Sequence, residues 1–138
     1  EAAAVLRSQR GISQALEAAR CADLALVGIG NLDPAAMSFA RAGYISAAEL
    51  AAMQAEGIVG EMAGWAYDVE GRTRPTQFSD RLIGITLDEL REIPLTLGVA
   101  RGGPKAAAIV GALRTGAVGV LATDDETAQA VLARASQA

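Results

Sequence analysis

Residues 95–116 read LTLGVARGGPKAAAIVGALRTG, an apolar run, a glycine turn and a second apolar segment in succession. A short apolar run, 95–100, leads into Gly102, Gly103, Pro104 and Lys105, after which an Ala-rich apolar segment reads as a helix. A buried strand that turns on glycines into a helix is the building unit of parallel α/β sheets. Pro104 suits the first helical position, where its missing N–H would be unpaired anyway. Glycines at such a turn let the backbone approach a ligand, the N–H groups of a helix start attract an anion, and Lys105 adds a point charge. Gly102, Gly103 and Lys105 are therefore candidates for a phosphate or carboxylate site. The alternative is that the glycines only permit a tight turn and Lys105 points into water. The Walker spacing GxxxxGK[ST] is absent.

Working outward, residues 24–29 form a second continuous apolar run, read as a strand buried on both faces, which ends in the glycine turn Val27, Gly28, Ile29, Gly30, Asn31. In a parallel sheet both glycine turns fall at one edge, where open α/β sheets bind ligands, so Gly28 and Gly30 join the candidates. Taken alone, this turn is more simply read as ordinary strand-end geometry. Residues 31–44 contain Pro34 and mixed polarity, which predicts a loop with a short helical turn over that edge. Arg41 lies in this loop, placed either to meet a second anionic group or to serve as solubility charge. Residues 2–9 and 12–21 have helical spacing and are expected to pack on the sheet. Ser46 with Glu49, Thr86 with Glu89 and Thr123 with Glu126 are capping-box signatures, predicting helices over 47–55, from 87 to before Pro94, and over 125–136. Gly57 is placed to end the first of these. Further strands are expected over 58–67, bent at Gly60 or Gly64, over 118–122, and over 82–85. Residues 68–80 read as a turn and an exposed excursion. The whole predicts an α/β domain with a mostly parallel sheet and helices on both faces.

The 138 residues are 51% hydrophobic but only 4% aromatic, which suits close packing of small side chains and excludes disorder. A net charge of −4, with twelve scattered Lys and Arg, gives no general attraction to nucleic acid. With no histidine, a His-ligated metal or a His general base is unavailable, leaving carboxylate, lysine or hydroxyl chemistry, or plain binding. The single cysteine, Cys21, permits no internal disulfide, fits a reducing cytoplasm, and is expected in helix packing. No apolar run approaches the roughly 20 residues of a membrane span, and no signal peptide opens the chain. Because it begins at Glu1 without a methionine and runs straight into a helical pattern, the chain is expected to be a fragment or the second half of something longer.

Glu61 is an acid inside the apolar run GIVGEMAGWAY, where desolvation is costly unless hydroxyls, a cation or backbone donors meet it. Sugar hydroxyls are one such partner; a solvent-facing strand-edge carboxylate is the alternative. Asp68, near the turn DVEG, is a weaker candidate because aspartate commonly stabilises turns through its own backbone. Asp124 and Asp125 favour a helix start.

Four ordered segments carry a resemblance: ADLALVGIG (22–30), GIVGEMAGWAYDVEG (57–71), ARGGPKAAAIVGALRTG (100–116) and TDDETAQAVL (123–132). With RLIGITLDELREIP (81–94) before the third, they resemble the sugar-binding effector domain of the SorC family of bacterial regulators. The resemblance implies a fold similar to ribose-5-phosphate isomerase and glucosamine-6-phosphate deaminase, reversible binding of a sugar or sugar phosphate, oligomerisation, and DNA binding only through a separate N-terminal helix-turn-helix domain. No catalytic residue, metal or cofactor is called for; the rival reading is an isomerase or deaminase on a related fold, with Glu61 as base and Lys105 as electrostatic catalyst. Lys105 matches the lysine of the family's AGGxxK and is implied to contact the ligand or its phosphate, and Glu61 matches the acid of GAVGD near the sugar hydroxyls. Arg101 for a glycine, Glu61 for an aspartate and Thr115 for a glycine depart from the pattern. The resemblance further implies that residues 1–138 are the C-terminal part of the effector domain, with its first strand and glycine-rich phosphate loop preceding Glu1.

Overall fold

In the computed structural model, which describes residues 2–136, β1 (Leu24–Asn31) is the centre of a five-stranded sheet of order β3-β2-β1-β4-β5. β4 (Leu95–Val99) pairs parallel with β1 and β5 (Val120–Ala122) parallel with β4. On the other side β2 (Ile58–Met62) and β3 (Trp65–Asp68) are antiparallel, so the sheet is mixed. The expected single bent strand over 58–67 is a hairpin. Its two-residue turn places Ala63 at φ 51° and Gly64 at φ 86°, the left-handed pair that suits the twist of a tight hairpin. Residues 82–85, expected as a strand, are an irregular connection whose Ile85 carbonyl accepts from the Trp65 indole at 2.7 Å.

The helices are α1 (Ala2–Arg7), α2 (Arg10–Arg20), α3 (Ser38–Arg41), α4 (Ala47–Ala55), α5 (Leu87–Arg91), α6 (Ala106–Arg114) and α7 (Asp125–Ala135). Both reciprocal bonds of the Ser46–Glu49 and Thr86–Glu89 capping boxes form. The last helix is capped one residue later than expected: Asp124, not Thr123, accepts from the Thr127 N–H at 2.8 Å, while Arg101 pairs with the same carboxylate. A charged acceptor beside an arginine outcompetes the neighbouring hydroxyl for the helix start.

Two cores lie on opposite faces of the hairpin: successive strand residues alternate sides, and a register shift between Ile58 and Gly60 turns Ile58 to the face opposite Met62. Tyr67 and Met62 face α6 with Ile29, Ile109 and Leu90, whereas Ala66 and Ile58 face α4 with Leu50, Met53 and Phe78. Residues 68–80 are thus not simply an exposed excursion, since Phe78 is buried with its ring 4.8 Å from that of Phe39. Over β1, β4 and β5 the coverage is one-sided. Ala25, Val27 and Ile29 pack on the α6 core, while Leu24 and Leu26 are exposed, so β1 is not buried on both faces. The two leading helices also depart from expectation: neither contains a buried residue, and polar contacts hold them. Arg20 binds Glu89 at 2.6 Å and Arg7 donates to the Leu82 carbonyl at 2.6 Å. Cys21 is exposed at the end of α2, not packed between helices. Among the described residues no helix is long and apolar enough to cross a membrane.

Candidate functional site

The chain leaves β1 toward the hairpin and leaves β4 toward β5, on opposite sides of the sheet. The β1–β4 boundary is therefore the point where connections diverge, which opens a crevice beyond the carboxyl ends of the strands. After β4, Gly102 adopts φ 109°, a backbone conformation that side-chain-bearing residues rarely reach, and swings the chain into a 3₁₀ turn, Gly103–Lys105, that runs directly into α6. This turn aims Lys105 across the sheet edge, where its Nζ donates to the Ile29 carbonyl at 2.9 Å. Lys105 is the only lysine in the chain. Two backbone N–H groups of the turn are already used, Gly102's by Thr127 Oγ1 at 2.7 Å and Lys105's by the Gly102 carbonyl at 2.9 Å. The positive charge offered to an anion is thus chiefly the Lys105 ammonium.

Glu61 reaches the same place from the hairpin. Antiparallel pairing sets it opposite Gly30, and its Oε1 lies so close over Gly30 that a Cβ there would collide with it. Oε2 accepts from the Gly64 N–H at 3.0 Å, which ties the carboxylate to the hairpin turn. Burial pushes the Glu61 carboxyl above its ordinary value, against the opposing pull of the Gly64 N–H and the Lys105 charge. Glu61 and Lys105 thereby face one open pocket of about 330 Å³, floored by Gly28 and Gly30 and walled by Met37 and Phe39.

Of the residues singled out from the sequence, Gly28, Gly30, Glu61 and Lys105 line this pocket together. Gly102 and Gly103 do not line it; they form the turn that positions Lys105. Arg41 is exposed at the end of α3, outside the lining. Asp68 is buried elsewhere, accepting from the Arg72 N–H at 2.9 Å and from Arg74 Nη2 at 2.7 Å. Burial acts to raise its carboxyl, but the Arg72 N–H and the Arg74 guanidinium override it and hold it below its ordinary value. The wall residues Met37 and Phe39 escaped sequence reading, although their loop was expected over this edge. A larger groove, about 500 Å³, runs between α4 and residues 75–80, lined by Glu49, Met53 and Phe78, and holds none of the candidate residues. Among the described residues no cluster of acids and cysteine could hold a metal ion.

Residues 1–133 match the family model described as "Putative sugar-binding domain". The transcriptional regulator LsrR of Klebsiella pneumoniae is 39% identical over 99% of this chain and 43% of its own length. LsrR of an Enterobacter species is 38% identical over 98% of this chain and 42% of its own. The chain thus spans less than half the length of these curated relatives. Among solved structures, the sugar-binding domain of a transcriptional repressor from Vibrio fischeri superposes with a TM-score of 0.87 at 33% identity, over 97% of this chain and 53% of that one. The full-length sorbitol operon regulator SorC of K. pneumoniae gives 0.82 at 27% identity, over 92% and 41%. The chain belongs to the sugar-binding domain family of SorC-type transcriptional regulators.

Proposed function

We propose that this chain is the ligand-sensing part of a bacterial transcriptional regulator, which reversibly binds a sugar or sugar phosphate in the crevice beside Lys105. The single observation that carries this reading is the meeting of the Lys105 ammonium and the Glu61 carboxylate at one glycine-floored pocket. In this account Lys105 donates to a phosphate or hydroxyl oxygen and Glu61 accepts from sugar hydroxyls, which replace the water lost on burial. Gly28 and Gly30 let the ligand lie against the strand, and the Gly102–Gly103 turn fixes where Lys105 points. Arg41 serves the rim of the pocket, and Asp68 braces the end of the hairpin. The chain makes up the C-terminal part of the effector domain of a cytoplasmic homo-oligomer, and a separate helix-turn-helix domain contacts the operator. Ligand binding shifts the balance between subunit arrangements of different operator affinity, with no bond made or broken.

A thermal-shift screen against sugars and their phosphates, up to tens of millimolar, tests the reading. Saturation at about 100 times the dissociation constant should add roughly 2.7 kcal/mol of stability to the wild type. The reading fails if no compound stabilises it, or if the same compound stabilises Lys105→Ala equally.

A second reading, a sugar-phosphate isomerase or deaminase, draws support from the raised pKa of Glu61, as a buried general base would have. Turnover of the stabilising compound by the intact protein would favour it over sensing.

A further inference from the structure

Lys105 carries the only lysine amine in the chain, and no other residue lining its pocket is basic. The side chain is half-buried and fixed by its bond to the Ile29 carbonyl, so Nζ is held at the pocket rather than sweeping through solvent. Glu61 faces the same space; burial pushes its carboxyl above the ordinary value, while the Lys105 charge pulls the other way. A carboxyl so raised takes up and returns protons nearer neutral pH than an exposed one does. Ile29, Met37, Phe39 and Val99 make much of the remaining wall apolar, which limits the water around the two groups. An amine, a proton carrier and an apolar wall are together suited to condensing the amine with a carbonyl compound. A sugar phosphate in its open-chain form brings that carbonyl, and once anchored it holds the carbon against Nζ at an effective concentration far above any dissolved one.

We propose that Lys105 is also a covalent modification site: the aldehyde of an open-chain phosphorylated sugar held in this pocket condenses with Nζ to an iminium, with Glu61 as proton carrier. The inference rests on the reading of the pocket as a sugar-phosphate site. Sensing itself makes no bond, and the condensation is a slower second event at the same place. The Lys105 ammonium first passes a proton to the Glu61 carboxylate. The free amine then attacks the carbonyl carbon, forming the N–C bond as the C=O π pair moves to oxygen, which takes the proton back from Glu61. Glu61 next removes a proton from nitrogen and delivers it to the new hydroxyl, which leaves as water while the nitrogen lone pair closes C=N. In sum, one ammonium and one aldehyde give one iminium and one water, and hydrolysis reverses the step. The modified pocket stays occupied after free ligand has fallen away.

Reductive trapping tests this. The chain is incubated at pH 7 with glycolaldehyde phosphate, an aldehyde too short to close a ring, and with sodium cyanoborohydride, which reduces the iminium to a stable secondary amine. Tryptic cleavage after Arg101 and Arg114 leaves Lys105 in one peptide, where mass spectrometry times its labelling. The α-amino group at the start of the chain is the exposed reference, and a hemithioacetal at Cys21 has no C=N bond to reduce. An unassisted lysine is more protonated than an α-amino group at pH 7 and labels roughly 100-fold more slowly. The expected result is the reverse order, with Lys105 at least about 10-fold faster than the α-amine, and that advantage lost with unphosphorylated glycolaldehyde. Glu61→Gln should lower the Lys105 rate at saturating aldehyde at least about 10-fold and leave the α-amine rate unchanged. Lys105 labelling slower than the α-amine, or equal in wild type and Glu61→Gln, would overturn the proposal. Amide NMR with 2-hydroxyethyl phosphate, the matching alcohol, separates the two readings. A Lys105 amide that responds while Lys105 stays unlabelled overturns the condensation alone, and neither response nor label overturns the sugar-phosphate site with it.

Discussion

Lys105 Nζ donates to the Ile29 carbonyl at 2.9 Å, so the turn after β4 is latched onto the end of β1. That bond joins the two glycine-rich strand ends and leaves further donor capacity on the ammonium for a ligand. Replacing Lys105 by Ala removes the latch and the charge together. Ligand affinity should fall about 10- to 100-fold, as expected for one charge-assisted hydrogen bond, while stability falls by about 1 kcal/mol. Calorimetric titration and urea unfolding separate the two effects.

Glu61→Gln keeps the side chain's shape and removes its ionisation. Folding raises the Glu61 pKa above its ordinary 4.5, so the folded chain holds that proton more tightly than the unfolded one. The residue's stabilising contribution is complete below that value and is lost as pH rises through the folded-state pKa. Wild type should therefore lose stability relative to Glu61→Gln from about pH 4.5 upward. Urea unfolding of both proteins between pH 4 and 8 reads the difference; a gap that does not change with pH would contradict it.

Gly30 and Gly60 separate a site effect from a folding effect. The nearest atoms to a Cβ on Gly30 all belong to the Glu61 side chain, which can swing aside. Gly30→Ala should cost little stability but displace the carboxylate and weaken ligand binding at least several-fold. A Cβ on Gly60 would lie 2.7 Å from the Ala108 Cβ and 2.8 Å from the Gly30 carbonyl oxygen, neither of which is a flexible chain end. Gly60→Ala should therefore destabilise by about 1–3 kcal/mol, visible as a lowered melting temperature without ligand.

Asp68→Asn probes the hairpin's brace. Its depressed pKa means the carboxylate contributes stability above the unfolded value, and the contribution is lost as pH falls through the folded one. The variant should be less stable than wild type by about 2 kcal/mol at pH 7, and the two should converge as pH drops below 3.8. Ligand affinity at neutral pH should be unchanged if Asp68 braces the fold without touching the ligand.

What the sequence disclosed follows the range of each interaction. The Ser46–Glu49 and Thr86–Glu89 boxes span three residues and were legible, as were the glycine turns around Gly28 and Gly102. The hairpin was not, because Ala63 occupies a left-handed position where Asn or Gly would announce a turn. The meeting of Glu61 with Gly30 depends on strand register, which a single strand does not encode. The apolar run 24–29 reads the same whether its second face is covered within residues 1–138 or from outside them, and here that face is open. Helical spacing in α2 likewise promised burial that polar anchoring through Arg20 replaces.

An amide NMR titration of ¹⁵N-labelled chain with the sugar and sugar-phosphate panel locates even millimolar binding. The expected result is that one class of compound shifts the amides of Gly28, Gly30, Gly64 and Lys105 most, and that Lys105→Ala abolishes the response. Shifts confined to the α4 groove around Glu49 and Phe78, or no shift with any compound, would contradict a sensing site at Lys105 and Glu61.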